Sequence, residues 1–165
     1  RGEDETRHVS EPRIRNFRPE DSAEIGRLFY DTVRTINARD YSPAEIAAWV
    51  PASPAPDWAA KREKTRIVFV AEDETGILGF AELRPNASHL DCLYSRHDIQ
   101  GRGIGSALLR AIEEQARTLR LTRLFTEASI TARPFFERRG FRLLTEQQVE
   151  RNGVGLTNFR MEKSF

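Results

Sequence analysis

The feature that most constrains this chain is the stretch Tyr94 to Arg117, where an apolar strand end runs through a basic, glycine-rich turn into a helix. Leu90-Asp91-Cys92-Leu93-Tyr94 is apolar enough for a strand, and Gln100-Gly101-Arg102-Gly103-Ile104-Gly105-Ser106 follows as the turn. Beyond it, Ile104, Leu108, Ala111, Ile112 and Leu119 recur at helical spacing, with Arg110, Glu113, Glu114 and Arg117 on the opposite face. The first N–H groups of a helix have no intrahelical partner, and the helix dipole adds positive charge at that end. Glycines let the backbone approach a phosphate with no Cβ in the way, and Arg102, with Arg96 nearby, brings full charge. The turn therefore reads as a pyrophosphate cradle.

Other readings of a glycine turn fit less well. A tight strand-to-helix turn without a ligand stays open. The dinucleotide fingerprint needs G-x-G-x-x-G, but Ser106 stands where the last glycine belongs. That fold also needs several further βαβ units, and only about sixty residues follow the turn. A Walker A loop is excluded because no Gly-Lys-Ser/Thr ends the turn.

The segment Gln100 to Gly105 resembles the Q/R-x-x-G-x-G/A signature of the GNAT superfamily, the Gcn5-related N-acetyltransferases. A second segment, Ser129-Ile130-Thr131-Ala132-Arg133-Pro134-Phe135-Phe136-Glu137-Arg138-Arg139-Gly140-Phe141, is similar to that family's N-x-x-A-x-x-F-Y-E-x-x-G-F. The likeness extends over residues 13 to 163. It implies acetyl-CoA as the cofactor and an amine of a small molecule or peptide as the acceptor. It also implies a slot between two splayed strands. There the backbone of Leu93, Tyr94 and Ser95 would meet the pantetheine arm, and Gln100, Gly101, Arg102, Gly103, Ile104, Gly105 and Ser106 would hold the pyrophosphate. Ser129 and Phe136, in the second segment, join the cofactor-binding set. In many members a tyrosine at the position of Phe136 protonates the leaving thiolate. Phe136 cannot; Cys92, Tyr94 or water are the replacements available, and because coenzyme A thiolate is already a fair leaving group no acid is assigned.

Proton removal from the acceptor ammonium needs a base. His89 stands in register with the base of the histone-acetylating members, counting back from Gln100, and an imidazole suits the task. Asp91, two residues on, shares its face and could orient the ring, while Glu82 and Glu127 are further carboxylates. For the acceptor, Asp40, Tyr41 and Trp49 in the N-terminal third combine a carboxylate with aromatics, which suits a cationic amine; Trp49 and Trp58 are also plausible core anchors. The resemblance leaves open a second reading, a non-catalytic acyl-CoA-binding or regulatory module.

Residues 1–12 carry many charges and no apolar period, and read as a disordered leader or expression remnant before one N-acetyltransferase domain, 13–165. The expected elements make an α+β fold: a mixed, mostly antiparallel sheet flanked by helices, with one parallel crossover through the Gly105 helix. An edge strand over Arg13 to Phe17 leads to a helix capped by Asp21 or Ser22, and Ser42-Pro43-Ala44-Glu45 starts a second helix. Trp58 begins a short amphipathic segment running to Lys64. Strands are expected over 66–71, 77–83, 88–94, 124–128, 141–149 and 156–162, with a helix over 132–139 and a hairpin turn at Asn152-Gly153.

The 26 basic and 25 acidic residues nearly cancel, which argues against a nucleic-acid partner. No apolar run reaches membrane-span length. One cysteine suits the cytoplasm, three histidines lack metal-ligand spacing so no metal is expected, and a homodimer is allowed for.

Overall fold

The structure is a computed structural model and describes residues 12–165. The leader expected over residues 1–12 lies, but for Pro12, outside the described residues. Seven strands form one sheet in the order β1-β2-β3-β4-β5-β7-β6. They are β1 (Arg13–Asn16), β2 (Ile67–Asp73), β3 (Gly76–Arg84), β4 (His89–Ser95), β5 (Arg123–Ser129), β6 (Arg142–Arg151) and β7 (Val154–Ser164). Every pairing is antiparallel except β4 with β5. This is the expected mixed α+β architecture, and the Asn152-Gly153 turn closes the last hairpin with φ of 49° and 80°.

Helices cover both faces. On one lies α4 (Ile104–Thr118), whose Ile104, Leu108, Leu109, Ile112 and Ala116 are buried against Ala81, Leu83, Leu90, Leu124 and Met161. On the other lie α1 (Ser22–Thr35) and α3 (Trp58–Glu63), which pack Ile25, Leu28 and Ala59 on Val70, Phe80 and Cys92. The short α2 (Pro43–Trp49) begins with the expected box: the Ser42 hydroxyl accepts from the Glu45 N–H, and the Glu45 carboxylate accepts from the Ser42 N–H. It packs Ile46 with Tyr41, Val50 and Leu156. The last helix, α5 (Arg133–Glu137), is shorter than expected.

Neither expected cap of α1 is used. A 3-10 turn at Pro19–Asp21 comes first, so the Asp21 carboxylate accepts from the Arg18 N–H (2.7 Å) and from Arg15. The Ser22 hydroxyl instead accepts from the Ala60 N–H at 3.1 Å, tying α1 to α3.

Two irregularities in β4 position everything that follows. Against β3, Glu82 pairs with Cys92 and Leu83 with Leu90, so Asp91 is one residue extra, a β-bulge. Residues i and i+2 of an unbroken strand share a face, yet here Leu90 joins the α4 side and Cys92 the α1/α3 side. Against β5, β4 pairs only at His89 with Phe125 and at Leu90 with Thr126. The Thr126 hydroxyl donates to the Leu90 carbonyl (3.0 Å), and beyond it the strands part.

Gly79 of β3 seats α4 beside this gap. A Cβ there would meet the Tyr94 carbonyl oxygen at 2.6 Å and the Ile104 and Leu108 side chains at 3.0 Å. Backbone cannot yield as a flexible side chain can. Gly79→Ala should therefore destabilise the protein by about 1–3 kcal/mol, the usual range for overpacking. Chemical denaturation checks it, and an unchanged midpoint would show that α4 sits elsewhere.

Candidate active site

Where β4 and β5 part, a cleft of about 680 Å³ opens. One wall is Leu93, Tyr94 and Ser95 of β4, the other Glu127, Ala128 and Ser129 of β5. Because pairing with β5 ends at Leu90, the β5-facing edge of the later β4 backbone has no strand partner. Gln100 braces this wall, its amide donating to the carbonyls of Ser95 (2.8 Å) and Arg96 (3.2 Å). The Thr32 hydroxyl from α1 also donates to the Ser95 carbonyl, at 3.1 Å.

The glycine turn closes one end of the cleft. Gly101 and Gly103 have φ of 80° and 79°, a region in which side-chain residues are strained, and a Cβ on either would meet nothing within 4 Å. The first intrahelical bond of α4 runs from the Ala107 N–H to the Gly103 carbonyl (3.0 Å), so the N–H groups of Ile104, Gly105 and Ser106 precede the ladder. An open, glycine-bared backbone at the start of a 15-residue helix fits a diphosphate. Gly105 is different: its Cβ would strike the Phe135 ring at 3.1 Å, so this glycine serves helix packing. Arg102 is exposed and does not line the cleft, and Arg96 is engaged by Asp98 and Thr75.

His89 and Asp91 both line the cleft and meet: His89 Nδ1 lies 2.5 Å from Asp91 Oδ1. Arg66 donates to Asp91 Oδ2 (2.7 Å) and Arg84 to Oδ1 (3.1 Å). Burial pushes the Asp91 carboxyl up, but the hydrogen bonds from His89 and Arg66 and the charge of Arg84 outweigh it and hold it at about 2. A carboxylate held this low accepts hydrogen bonds and keeps no proton. Glu82 is fully buried on the α3 side, held by Arg62 through three hydrogen bonds of 2.8–3.1 Å, and does not line the cleft. The bulge separates the two carboxylates, sending Asp91 to the cleft and leaving Glu82 beneath α3. Glu127 is exposed on the cleft wall, and its carboxylate has no hydrogen-bond or ion-pair partner among the described residues.

On the far side, Tyr41 and Trp49 line the cleft with their rings edge to face at 5.5 Å, while Asp40 stays outside it. The Tyr41 hydroxyl donates to the Thr157 carbonyl (2.7 Å) and accepts from the Ile130 N–H (2.9 Å), pinning the α1–α2 connection across the open end of β5. Ser129 accepts from the Asn37 amide and from the Ala132 N–H, so its hydroxyl closes the turn that precedes α5. Phe136 is buried in the cleft wall, edge-on to Phe135 and Phe141. Of the replacements for the missing tyrosine, Cys92 is buried beside Arg62 and off the cleft, whereas Tyr94 lines it. Trp58 is off the cleft too, stacked on Phe29 at 5.0 Å. Sequence reasoning passed over Thr32, Asn37 and Arg139, all lining residues. The Arg-Arg pair after Phe-Phe-Glu was the one signal that could have found Arg139.

The depressed Asp91 carboxyl ties stability to pH. Its folded value of about 2 lies below the reference of 3.8, so its contribution is full above about pH 4 and vanishes as pH falls through about 2. At roughly 1.4 kcal/mol per tenfold change in proton affinity, the contribution is on the order of 2 kcal/mol. Asp91→Asn should be less stable than wild type at pH 6, and the gap should close between about pH 4 and pH 2. A gap constant over that range would place the carboxylate's worth elsewhere.

The comparisons with known proteins agree with this geometry. The family model for the acetyltransferase (GNAT) domain matches residues 37–163. The uncharacterised N-acetyltransferase YafP of Escherichia coli K12 is 34% identical over 148 residues, covering 90% of this chain and 93% of YafP. A crystal structure of a GCN5-related N-acetyltransferase from Rhodopseudomonas palustris shares 32% identity and superposes with a TM-score of 0.88, over 94% of this chain and 97% of that one. The PaiA N-acetyltransferase of Thermoplasma acidophilum, solved with coenzyme A, has the same fold at 18% identity, with a TM-score of 0.75 over 94% of this chain and all of its own. The enzyme reading, and not the non-catalytic module, is the one these relatives carry. The chain belongs to the GNAT superfamily and is an N-acetyltransferase of a family that uses acetyl-CoA.

Proposed function

We propose that the chain transfers the acetyl group of acetyl-CoA directly to a primary amine of a small molecule or peptide, with His89 as general base. The observation that carries this is the His89–Asp91 pair, 2.5 Å apart, in the same cleft as the glycine cradle. An ionised Asp91 accepts a hydrogen bond and so fixes the proton of a neutral imidazole on Nδ1. Nε2 is then the nitrogen with a lone pair, able to take the proton from an acceptor ammonium. Asp91 itself, engaged by Arg66, Arg84 and His89, acts as a positioning residue.

Acetyl-CoA supplies an acetyl group already activated as a thioester. The chain supplies orientation: the β5-facing edge of β4 at Leu93 to Ser95, whose other edge pairs with β3, for the pantetheine amides, and the Gln100–Ser106 turn for the diphosphate. N–H groups on that free strand edge are also the donors at hand for a developing oxyanion. Tyr94 lines the cleft, and burial pushes its phenol up, so it keeps its proton and takes the place of the tyrosine that Phe136 replaces. Glu127 offers a carboxylate to the ammonium, beside the aromatic wall of Tyr41 and Trp49. The single cysteine, free and without a disulfide partner, supports the cytoplasm as the compartment we assign.

Thiol release from acetyl-CoA across a panel of amines identifies the acceptor. With it in hand, kcat/KM of the wild type should rise with pH through one acid limb. In His89→Gln that limb should disappear and kcat should fall on the order of 100-fold or more, the usual weight of a general base. A limb that survives in His89→Gln would assign it to the acceptor's own ammonium and remove His89 from the chemistry.

A further inference from the structure

Beyond Ser106, the last residue of the cradle, lies a second hollow of about 260 Å³ lined by Ser106, Leu109, Arg110, Glu113, Arg139 and Lys163. Ser106 and Arg139 line both spaces and so stand at their junction. Arg138, next in the chain, lines the main cleft. The charges here do not balance. The Glu113 carboxylate is taken by Lys163 at 2.7 Å. The guanidinium groups of Arg110 and Arg138 have no hydrogen-bond or ion-pair partner among the described residues. Arg139 spends its N–H groups on neutral acceptors: the Ser106 hydroxyl (3.0 and 2.5 Å) and the Phe135 carbonyl (3.0 Å).

Arg139 is also pinned in place, its guanidinium stacked 3.7 Å over the Phe135 ring. Its hold on its proton is weakened by burial and by the charges of Arg138 and Arg110. Three like charges gathered around one junction repel one another, and an anion placed among them relieves that repulsion. A rigid, planar guanidinium fork is suited to phosphate oxygens.

We propose that Arg110, Arg138 and Arg139 bind the ribose 3′-phosphate of coenzyme A. The inference rests on acetyl-CoA as the cofactor and on the diphosphate lying in the Gln100–Ser106 turn. Apart from the diphosphate, the 3′-phosphate is the one anionic group of that molecule. It sits on the nucleoside end, away from pantetheine. With pantetheine along β4 and the diphosphate on the turn, the nucleoside end emerges past Ser106, where the unmatched guanidiniums gather. The site thereby distinguishes coenzyme A from its 3′-dephospho form, a choice the cradle alone cannot make.

Calorimetry with coenzyme A and 3′-dephospho-coenzyme A tests this without turnover. Wild type should bind coenzyme A at least ~10-fold more tightly, about the worth of one charge-assisted contact. In Arg110→Gln/Arg138→Gln, both exposed positions, the preference should fall to within about twofold while affinity for the dephospho form holds. Arg110→Gln alone gives a second reading should the double variant fold poorly, and should lose part of the preference. Equal wild-type affinities, a preference that survives in the variants, or an equal loss for both ligands would overturn the proposal. Failure of wild type to bind either ligand would instead bring down the cradle reading on which it rests.

Discussion

The parallel pairing of β4 with β5 stops after two residue pairs, and most of what this protein can do follows from that stop. A sheet that stayed zipped would bury the later β4 backbone in hydrogen bonds and leave no slot. Here the edge from Cys92 to Ser95 faces open space, at a cost in unmade ladder bonds that the neighbours limit. Thr126 takes the Leu90 carbonyl, while Thr32 and Gln100 both take the Ser95 carbonyl. At the far margin the Tyr41 hydroxyl bonds across from Ile130 to Thr157, so β5 is held at the distance it has reached. The opening is thus braced on both sides by side-chain bonds to backbone.

The bulge at Asp91 is the partner of that opening. By adding one residue to β4 it lets Leu90 and Cys92 serve opposite cores and brings Asp91 to His89. It also gathers a chain of charges from α3 to the cleft: Arg62 on Glu82, Arg66 between Glu82 (3.7 Å) and Asp91, and Arg84 on Asp91. Glu82 is fully buried, and removing one member of such a pair strands the other's charge, which typically costs about 3–5 kcal/mol. The network therefore fixes the Asp91 carboxylate more firmly than a surface ion pair would, and with it the orientation of His89. Two carboxylates on successive strands end in different roles: Arg66 reaches both, but Arg62 holds only Glu82, and Arg84 and His89 hold only Asp91.

The architecture was largely legible in the chain. Periodicity and turn chemistry located all seven strands, the Ser42 box and the Asn152-Gly153 hairpin, usually within two residues, and the glycine turn with its helix is where the sequence put it. What was not legible depended on partners. The bulge lies in the register between β3 and β4, which no local pattern in Leu90 to Tyr94 encodes, so Glu82 could not be told from Asp91 as a cleft residue. Asp21 and Ser22 looked like caps, but Arg15 and Ala60, distant in sequence, claimed them. Asp40 is next to Tyr41 in the chain, yet only Tyr41 turns to the cleft, because its hydroxyl is drawn to Ile130 and Thr157.

Amide hydrogen exchange, with and without coenzyme A, tests most directly whether the parted edge of β4 and the glycine turn together make the cofactor site. Coenzyme A should slow exchange at those amides of Leu93 to Ser95 that face the cleft and not β3, and at Gly101 to Ser106, which precede the α4 ladder in the free protein. It should leave the β6–β7 hairpin unchanged. Binding that protected the turn but left Leu93 to Ser95 as before would contradict the account, since the parting of β4 from β5 would then have no ligand to serve.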